Sequence, residues 1–397
     1  MNQHAKKIGV ATATIIGMNA MIGAGIFTAP AALAVYAGPA GLLAYLFVII
    51  AVWFLAESFG RLAAIFPEGG SFYTYTKQWG GHTLGLISAF GYLIGLLIAM
   101  GLLAQIAGIY GQAIIPSSPF TIGLVIILAL VALNLAGVAL SYLGIFLNAL
   151  TIFCMTSITL LCLSKASLSN LTPFAPHGLT NIFKATKVAI FGFFGFEAVA
   201  SLFNEIENPQ KNVPRATVLA LTLVGILYIC FISAVLLAIP TQSFSSDKMP
   251  LSEALAILFP GMTWFITVIT IAIMSAIIGC IHSIIWSTSD LLLILFGRMK
   301  SPAIKNLATQ GILNKKAAVL IVGALILLSY SSFNDLSLFF SLTAIFVVFG
   351  YVTSIIALLT VKSEWKSGQN YKTIIGLIAA AMIFIFAFQD LIQAVTH

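Results

Sequence analysis

The chain's 397 residues are 60% hydrophobic and 7% charged, with a mean hydropathy of +1.10, where a soluble domain carries about 25% charged residues. That excludes a soluble globular domain and defines an all-α polytopic membrane protein; no polar stretch is long enough for a separate soluble core, so 1–397 reads as a single transmembrane domain. The net charge of +7 would suggest a nucleic-acid partner on a soluble protein, but here the lysines and arginines fall between apolar runs, where they orient the chain in a lipid bilayer. Cys154, Cys162, Cys230 and Cys280 sit inside apolar runs without the paired spacing of a disulfide framework or zinc site. No nucleic acid, metal or cofactor is expected.

A helical span needs about 20 apolar residues, and such segments fall near 8–36, 39–65, 82–112, 120–139, 143–164, 184–204, 216–240, 262–296, 316–333, 336–361 and 373–395, about 11 transmembrane helices. Lys6-Lys7, the first apolar run and Ala32-Leu33-Ala34 loosely mimic a signal peptide, but the run is too long for one and reads as a retained first helix. Cytoplasmic loops keep positive charge. A cytoplasmic N-terminus puts Lys6, Lys7, Arg61, Lys77, Lys211, Arg215, Arg298, Lys300, Lys305, Lys315, Lys316, Lys362, Lys366 and Lys372 inside, leaving Lys165, Lys184, Lys187 and Lys248 outside. The odd span count then places the C-terminus outside.

The first segment carries Ile22-Gly23-Ala24-Gly25-Ile26-Phe27-Thr28-Ala29-Pro30. A helix in lipid must satisfy its backbone internally, so glycines and a proline at mid-depth are tolerated beside protein or a water-lined cavity. Gly23 and Gly25 therefore mark either a ligand site or a notch for helix packing. Glu57 and Arg61 stand four apart in the second segment, in the order that supports an ion pair. After it, Phe66 to Tyr75, with Pro67-Glu68-Gly69-Gly70, suits either a short aromatic helix at the inner interface or a plain loop.

The sixth segment holds a second interruption, Gly192-Phe193-Phe194-Gly195. Two broken segments in corresponding halves point to a transporter's midplane binding site. Glu197 follows as the one carboxylate expected deep in a span; it is either a proton carrier or a charged brace for the half-helix. Phe193 and Phe196 face either substrate or neighbouring helices. Beyond lies Phe203-Asn204-Glu205-Ile206-Glu207-Asn208-Pro209-Gln210-Lys211-Asn212-Val213-Pro214-Arg215-Ala216, with a turn at Asn208-Pro209 and Pro214 suited to the first turn of the next helix. In the eighth segment His282 is a proton relay or a hydrogen-bonded structural residue. Ser275 is a candidate sodium ligand, or a hydroxyl returned to its own helix.

Three of these stretches resemble the amino acid–polyamine–organocation family of transporters: Gly23-Ala24-Gly25-Ile26-Phe27 with Pro30, Pro67-Glu68-Gly69-Gly70, and Glu205 through Ala216. The last matches the family pattern almost position for position. The resemblance implies a LeuT-type 5+5 inverted repeat with discontinuous helices 1 and 6: residues 8–164 form the first repeat, 184–361 the second, and 373–395 an additional helix. It also implies that Ala24 and Gly25 offer N–H groups to a substrate carboxylate, while Met21, Phe191 and Phe194 offer carbonyls to its ammonium, the Phe191 ring serving as an aromatic gate. Many members carry a lysine in span five; aligned around Asn148 and Thr151, this chain has Cys154 there, which removes proton coupling through that amine.

A zwitterionic amino acid is costly to bring to mid-membrane unless both charges find partners, and broken helices supply free N–H groups at one end and free carbonyls at the other. The expected function is secondary active transport of neutral, apolar amino acids by alternating access, coupled to H+ or Na+ or run as exchange. An exchanger or exporter of amino acids or polyamines, and a non-transporting membrane nutrient receptor, are the rival readings. No reactive constellation appears in the spans, so an enzyme is not expected. The resemblance implies a bacterial inner membrane or a plasma membrane.

Overall fold

The computed structural model describes residues 7–23, 25–66, 71–137, 141–201, 203–246, 249–333, 335–361 and 368–396. Among these residues the elements are helical, and the one β-bridge joins Ile8 to Ile206. In chain order the helices are α1 (Val10–Met21), α2 (Gly25–Ala37), α3 (Gly41–Ile65), α4 (Ser71–Gly111), α5 (Pro119–Leu135), α6 (Ser141–Leu163), α7 (Thr180–Lys184), α8 (Thr186–Phe191) and α9 (Ala198–Ser201). There follow α10 (Pro209–Ala238), α11 (Leu251–Leu258), α12 (Thr263–Arg298), α13 (Pro302–Thr309), α14 (Lys315–Ser332), α15 (Leu336–Thr360) and α16 (Asn370–Thr396).

Seven helices among the described residues are long and apolar enough to cross a membrane, and α1, α5 and the 149–163 part of α6 are shorter apolar helices. Their outer faces carry apolar side chains, such as Ile50, Val125, Phe153, Leu160 and Ile226, that a soluble protein would bury. This is an integral multi-pass membrane protein.

Two of the apolar segments are not continuous helices. The first stops at Met21 and restarts at Gly25, and the sixth is a six-residue helix and a four-residue helix separated by turns from Gly192 to Glu197. The junction after the sixth also differs from expectation. Asn208 takes the left-handed conformation (φ 44) and α10 starts at Pro209, whose fixed φ and missing N–H suit the first helical position. Pro214 therefore lies inside α10, packed on Gly60 of α3.

The aromatic stretch after the second segment is another departure. Pro67–Gly70 lies outside the described residues, but Ser71 onward is helical and runs into the third span across a bend at Gly81 (φ 74). Phe72, Tyr73 and Tyr75 are buried rather than spread at an interface: Phe59 of α3 and Tyr351 of α15 offer Phe72 and Tyr75 a packed aromatic surface, and Tyr73 packs on His82. Helix α4 is also zipped to α15 by Ser88 Oγ and Thr353 Oγ1 at 2.7 Å. The expected pair of Glu57 and Arg61 forms at 3.0 Å. Lys372 of α16 joins Glu57 at 3.0 Å and Arg61 donates to Thr373 Oγ1 at 2.7 Å, so the cluster ties α3 to α16.

Candidate functional site

The two interrupted segments lie against each other, antiparallel and in steady register. At the outset Ile8 and Ile206 form a local parallel bridge, Ile8 N–H donating to Glu205 O and Glu207 N–H to Ile8 O, both at 2.9 Å, and the antiparallel run follows from Gly17 onward. A Cβ on Gly17 would stand 2.6 Å from Val199 Cγ2, one on Gly195 would stand 2.4 Å from Ala20 O, and one on Gly25 would stand 2.7 Å from Phe191 Cδ1. As numbering rises along one segment it falls along the other, so the two breaks face each other. Gly195 is required twice over: its φ of +105 is one that side chains rarely adopt, and the Ala20 carbonyl fills the space of a side chain.

Sequence-predicted residues gather here. Gly23, Gly25, Phe191, Gly192 and Phe194 line or adjoin the breaks, the rings of Phe191 and Phe194 meeting edge to face at 5.8 Å. Ala24 lies outside the described residues. Met21 ends α1, and its carbonyl accepts a hydrogen bond from Tyr228 Oη of α10 at 3.0 Å, leaving a second lone pair for a ligand. Phe193 and Phe196 face helices: Phe193 packs on Tyr45 and Tyr228, and Phe196 on Phe59 and Tyr351.

Glu197 is buried beneath the second break. Tyr92 Oη donates to its Oε1, and Tyr351 Oη donates to its Oε2 at 2.9 Å. Phe72 stacks on Tyr92 with ring centroids 3.8 Å apart, closing an aromatic wall around the carboxylate.

The remaining candidates lie farther apart. His282 is buried on α12, with Nδ1 2.9 Å from Asn134 Nδ2 of α5. Ser275 is half-buried on α12, and Cys154 is buried on α6. The α12 side chain that meets the first break is Cys280, its Sγ 3.5 Å from where a Cβ on Gly23 would stand.

Some buried polar groups escaped the sequence reading. Tyr92, Tyr351 and Tyr228, like the half-buried Cys280, carry no helical-period signal that separates them from core residues. Lys187 and Asp390 did carry a signal, since each is a charge inside an apolar segment. The charge count places Lys187 among the outside loop lysines, but its side chain is buried in an ion pair with Asp390; Asp390 itself is half-buried, and among the described residues Glu197 is the one buried carboxylate.

A membrane bundle in which two interrupted helices face each other, with bare backbone and aromatic rings at the breaks, has the features of a small-molecule permease. The amino acid permease family model matches residues 12–396, and this chain belongs to that family within the amino acid–polyamine–organocation superfamily. It is 28% identical over 287 residues to an uncharacterized transporter of Mycobacterium tuberculosis, covering 72% of this chain and 64% of the relative. It is 26% identical over 320 residues to the branched-chain amino acid permease BcaP of Bacillus subtilis, covering 74% and 66%. With the gamma-aminobutyric acid permease of Escherichia coli it shares 27% identity over 312 residues, covering 73% and 66%. The chain thus spans 64% to 66% of the length of these relatives.

Proposed function

We propose that this chain is a secondary transporter of neutral, apolar amino acids that works by alternating access around the facing breaks. The observation that carries the reading is the antiparallel register of the two interrupted segments, which brings Gly25 against Phe191. In this reading residues 8–164 and 184–361 are inverted repeats of a LeuT-type fold, and 373–395 is an added helix. The substrate carboxylate takes N–H groups at Ala24 and Gly25, and the ammonium takes carbonyls at Met21, Phe191 and Phe194. No charged side chain is needed, because half-helix ends carry partial charges of both signs. The substrate's side chain is apolar because Phe191 and Phe194 are what it meets.

Glu197 acts as a brace in this scheme. An ionised carboxylate only accepts hydrogen bonds, and a tyrosine hydroxyl donates to each of its oxygens. Coupling, whether to H+ or Na+ or by exchange, is then carried elsewhere. The N-terminus is cytoplasmic in this reading, and the membrane is a bacterial inner membrane or a plasma membrane.

The test is uptake into liposomes reconstituted with the purified protein, using a panel of labelled amino acids and varying pH gradient, sodium and internal amino acid separately. Saturable uptake of aliphatic amino acids is expected. Binding without flux would instead make the protein a nutrient receptor, and preference for polyamines would overturn the substrate class.

A further inference from the structure

Lys187 lies one helical turn before Phe191, on the same side of α8, and is 3% exposed. Its ammonium binds the Asp390 carboxylate of α16 and donates to Ser337 Oγ at 2.6 Å and Ser341 Oγ at 3.2 Å, both on α15. It also lies 5.2 Å from the centroid of the Tyr36 ring on α2. Ser337 and Ser341 lie 3.4 and 3.5 Å from Asp390 Oδ2, and Asp335 caps α15 through Ser337 N–H. One cation thus joins the two half-helices α2 and α8, which flank the breaks, to two uninterrupted helices.

Burying a charged pair is expensive, and a good hydrophobic packing would hold four helices together as well. What an ion pair adds is an abrupt response. It holds while geometry is good, and it is lost once α8 shifts far enough for water to enter between the partners. Nothing in the substrate scheme uses Lys187 or Asp390, so their burial calls for its own account.

We infer that Lys187 and Asp390 form a latch that fixes α8 against α15 and α16, and through α8 sets the Phe191 ring over Gly25. They are positioning residues that control access to the breaks and do not touch substrate. Opening on that side requires the pair to part. This inference rests on the transport reading for its functional effect, but the latch itself has a readout that needs no transport.

The test uses Lys187→Met, Asp390→Asn, the double variant and the conservative Lys187→Arg, each purified in detergent and checked for a monodisperse peak and melting temperature. Amide exchange over 186–191 should rise at least about tenfold in each neutralising single variant, because one charge is left buried without its partner. The double variant should exchange more slowly than either single, and Lys187→Arg should match the parent. In liposomes the single variants should change KM for amino acid several-fold more than Vmax. If a single variant does not accumulate folded, the comparison of the double variant with the parent decides, since removing both charges leaves none unpaired. Exchange at 186–191 unchanged in every folded variant would overturn the latch. Faster exchange with an unmoved KM would reduce the pair to a static strut, which also overturns it. Loss of transport by the parent chain, with the exchange pattern intact, would count against the transport reading alone.

Discussion

The Phe191 ring occupies the space that a side chain on Gly25 would need, with Cδ1 2.7 Å and Cε1 2.9 Å from the position of a Cβ. The constraint at Gly25 is therefore set by a neighbouring ring as well as by any ligand. Gly25→Ala should weaken amino acid binding about tenfold or more, as an added methyl in a packed site forces the ring to move. Gly25→Val, β-branched and larger, should abolish binding while the protein still inserts. Equilibrium binding to purified protein checks both, and Gly25→Ala combined with Phe191→Leu should recover part of the loss. Without that recovery, the methyl would be competing with the substrate itself.

Glu197 and its two tyrosines make a second test. Glu197→Gln preserves shape but brings an amide that must donate, so one tyrosine hydroxyl loses its acceptor. The variant should lose about 1.5–3 kcal/mol of stability, the range for hydrogen bonds to a charged group, read as a lower melting temperature. The pH profile of uptake should keep its shape, as expected of a brace. If the pH dependence of net uptake disappears while exchange of amino acid for amino acid survives, Glu197 carries the proton instead.

The breaks were legible because they are written in local chemistry. Gly23, Gly25 and Pro30 in one apolar run, and Gly192 and Gly195 in another, oppose the helix that hydropathy demands, and that conflict shows without knowing any partner. The apolar segments were legible for the same reason, whereas the start of α10 was not: Pro214 suits a first helical turn as well as Pro209 does, and the helix begins at Pro209. What binds Glu197 was not. Tyr92 and Tyr351 are 105 and 154 residues away along the chain, and in their own segments they read as ordinary aromatic core. Lys187 failed differently: its position near the start of a segment suits a loop lysine, and 203 residues separate it from Asp390. The sharp contact of Gly195 with Ala20 O was also hidden, since sequence reveals a need for glycine but not which backbone presses against it.

Gly195→Ala checks that last contact. The substitution places a methyl on the Ala20 carbonyl and holds an L residue at φ +105, a strained region that costs on the order of 1–3 kcal/mol before any clash is counted. The melting temperature should fall and substrate binding should fall with it, because the two breaks are held in register at this point. A variant as stable as the parent would mean that the segments can slide.

Glu57 offers a contrast with the residues at the breaks. It bonds Arg61 and Lys372, each at 3.0 Å, and joins α3 to α16. Glu57→Gln should lower stability by about 1.5–3 kcal/mol and leave KM for amino acid unchanged. A change in KM larger than the change in Vmax would bring this cluster into the gating machinery.

The orientation of the chain can be tested on two exposed loop positions. Arg298, Lys300, Lys315 and Lys316 flank α13, a concentration of positive charge of the kind that stays on the cytoplasmic side. On the opposite side of the bundle in this reading, the connection between α6 and α7 holds Lys165, and α7 ends on Lys184. Lys187 drops out of the count, because its ammonium is buried in the ion pair with Asp390, and the charge asymmetry between the two sides grows as a result. Ser169 in that connection and Gln310 after α13 are both exposed, so a cysteine at either site meets water. In right-side-out vesicles, a membrane-impermeant maleimide should label Ser169→Cys above the level of the parent, whose exposed Cys230 lies in the apolar stretch of α10. Gln310→Cys should react only after the vesicles are permeabilised. Labelling of Gln310→Cys in sealed vesicles, with Ser169→Cys protected, would invert the topology and place the N-terminus outside.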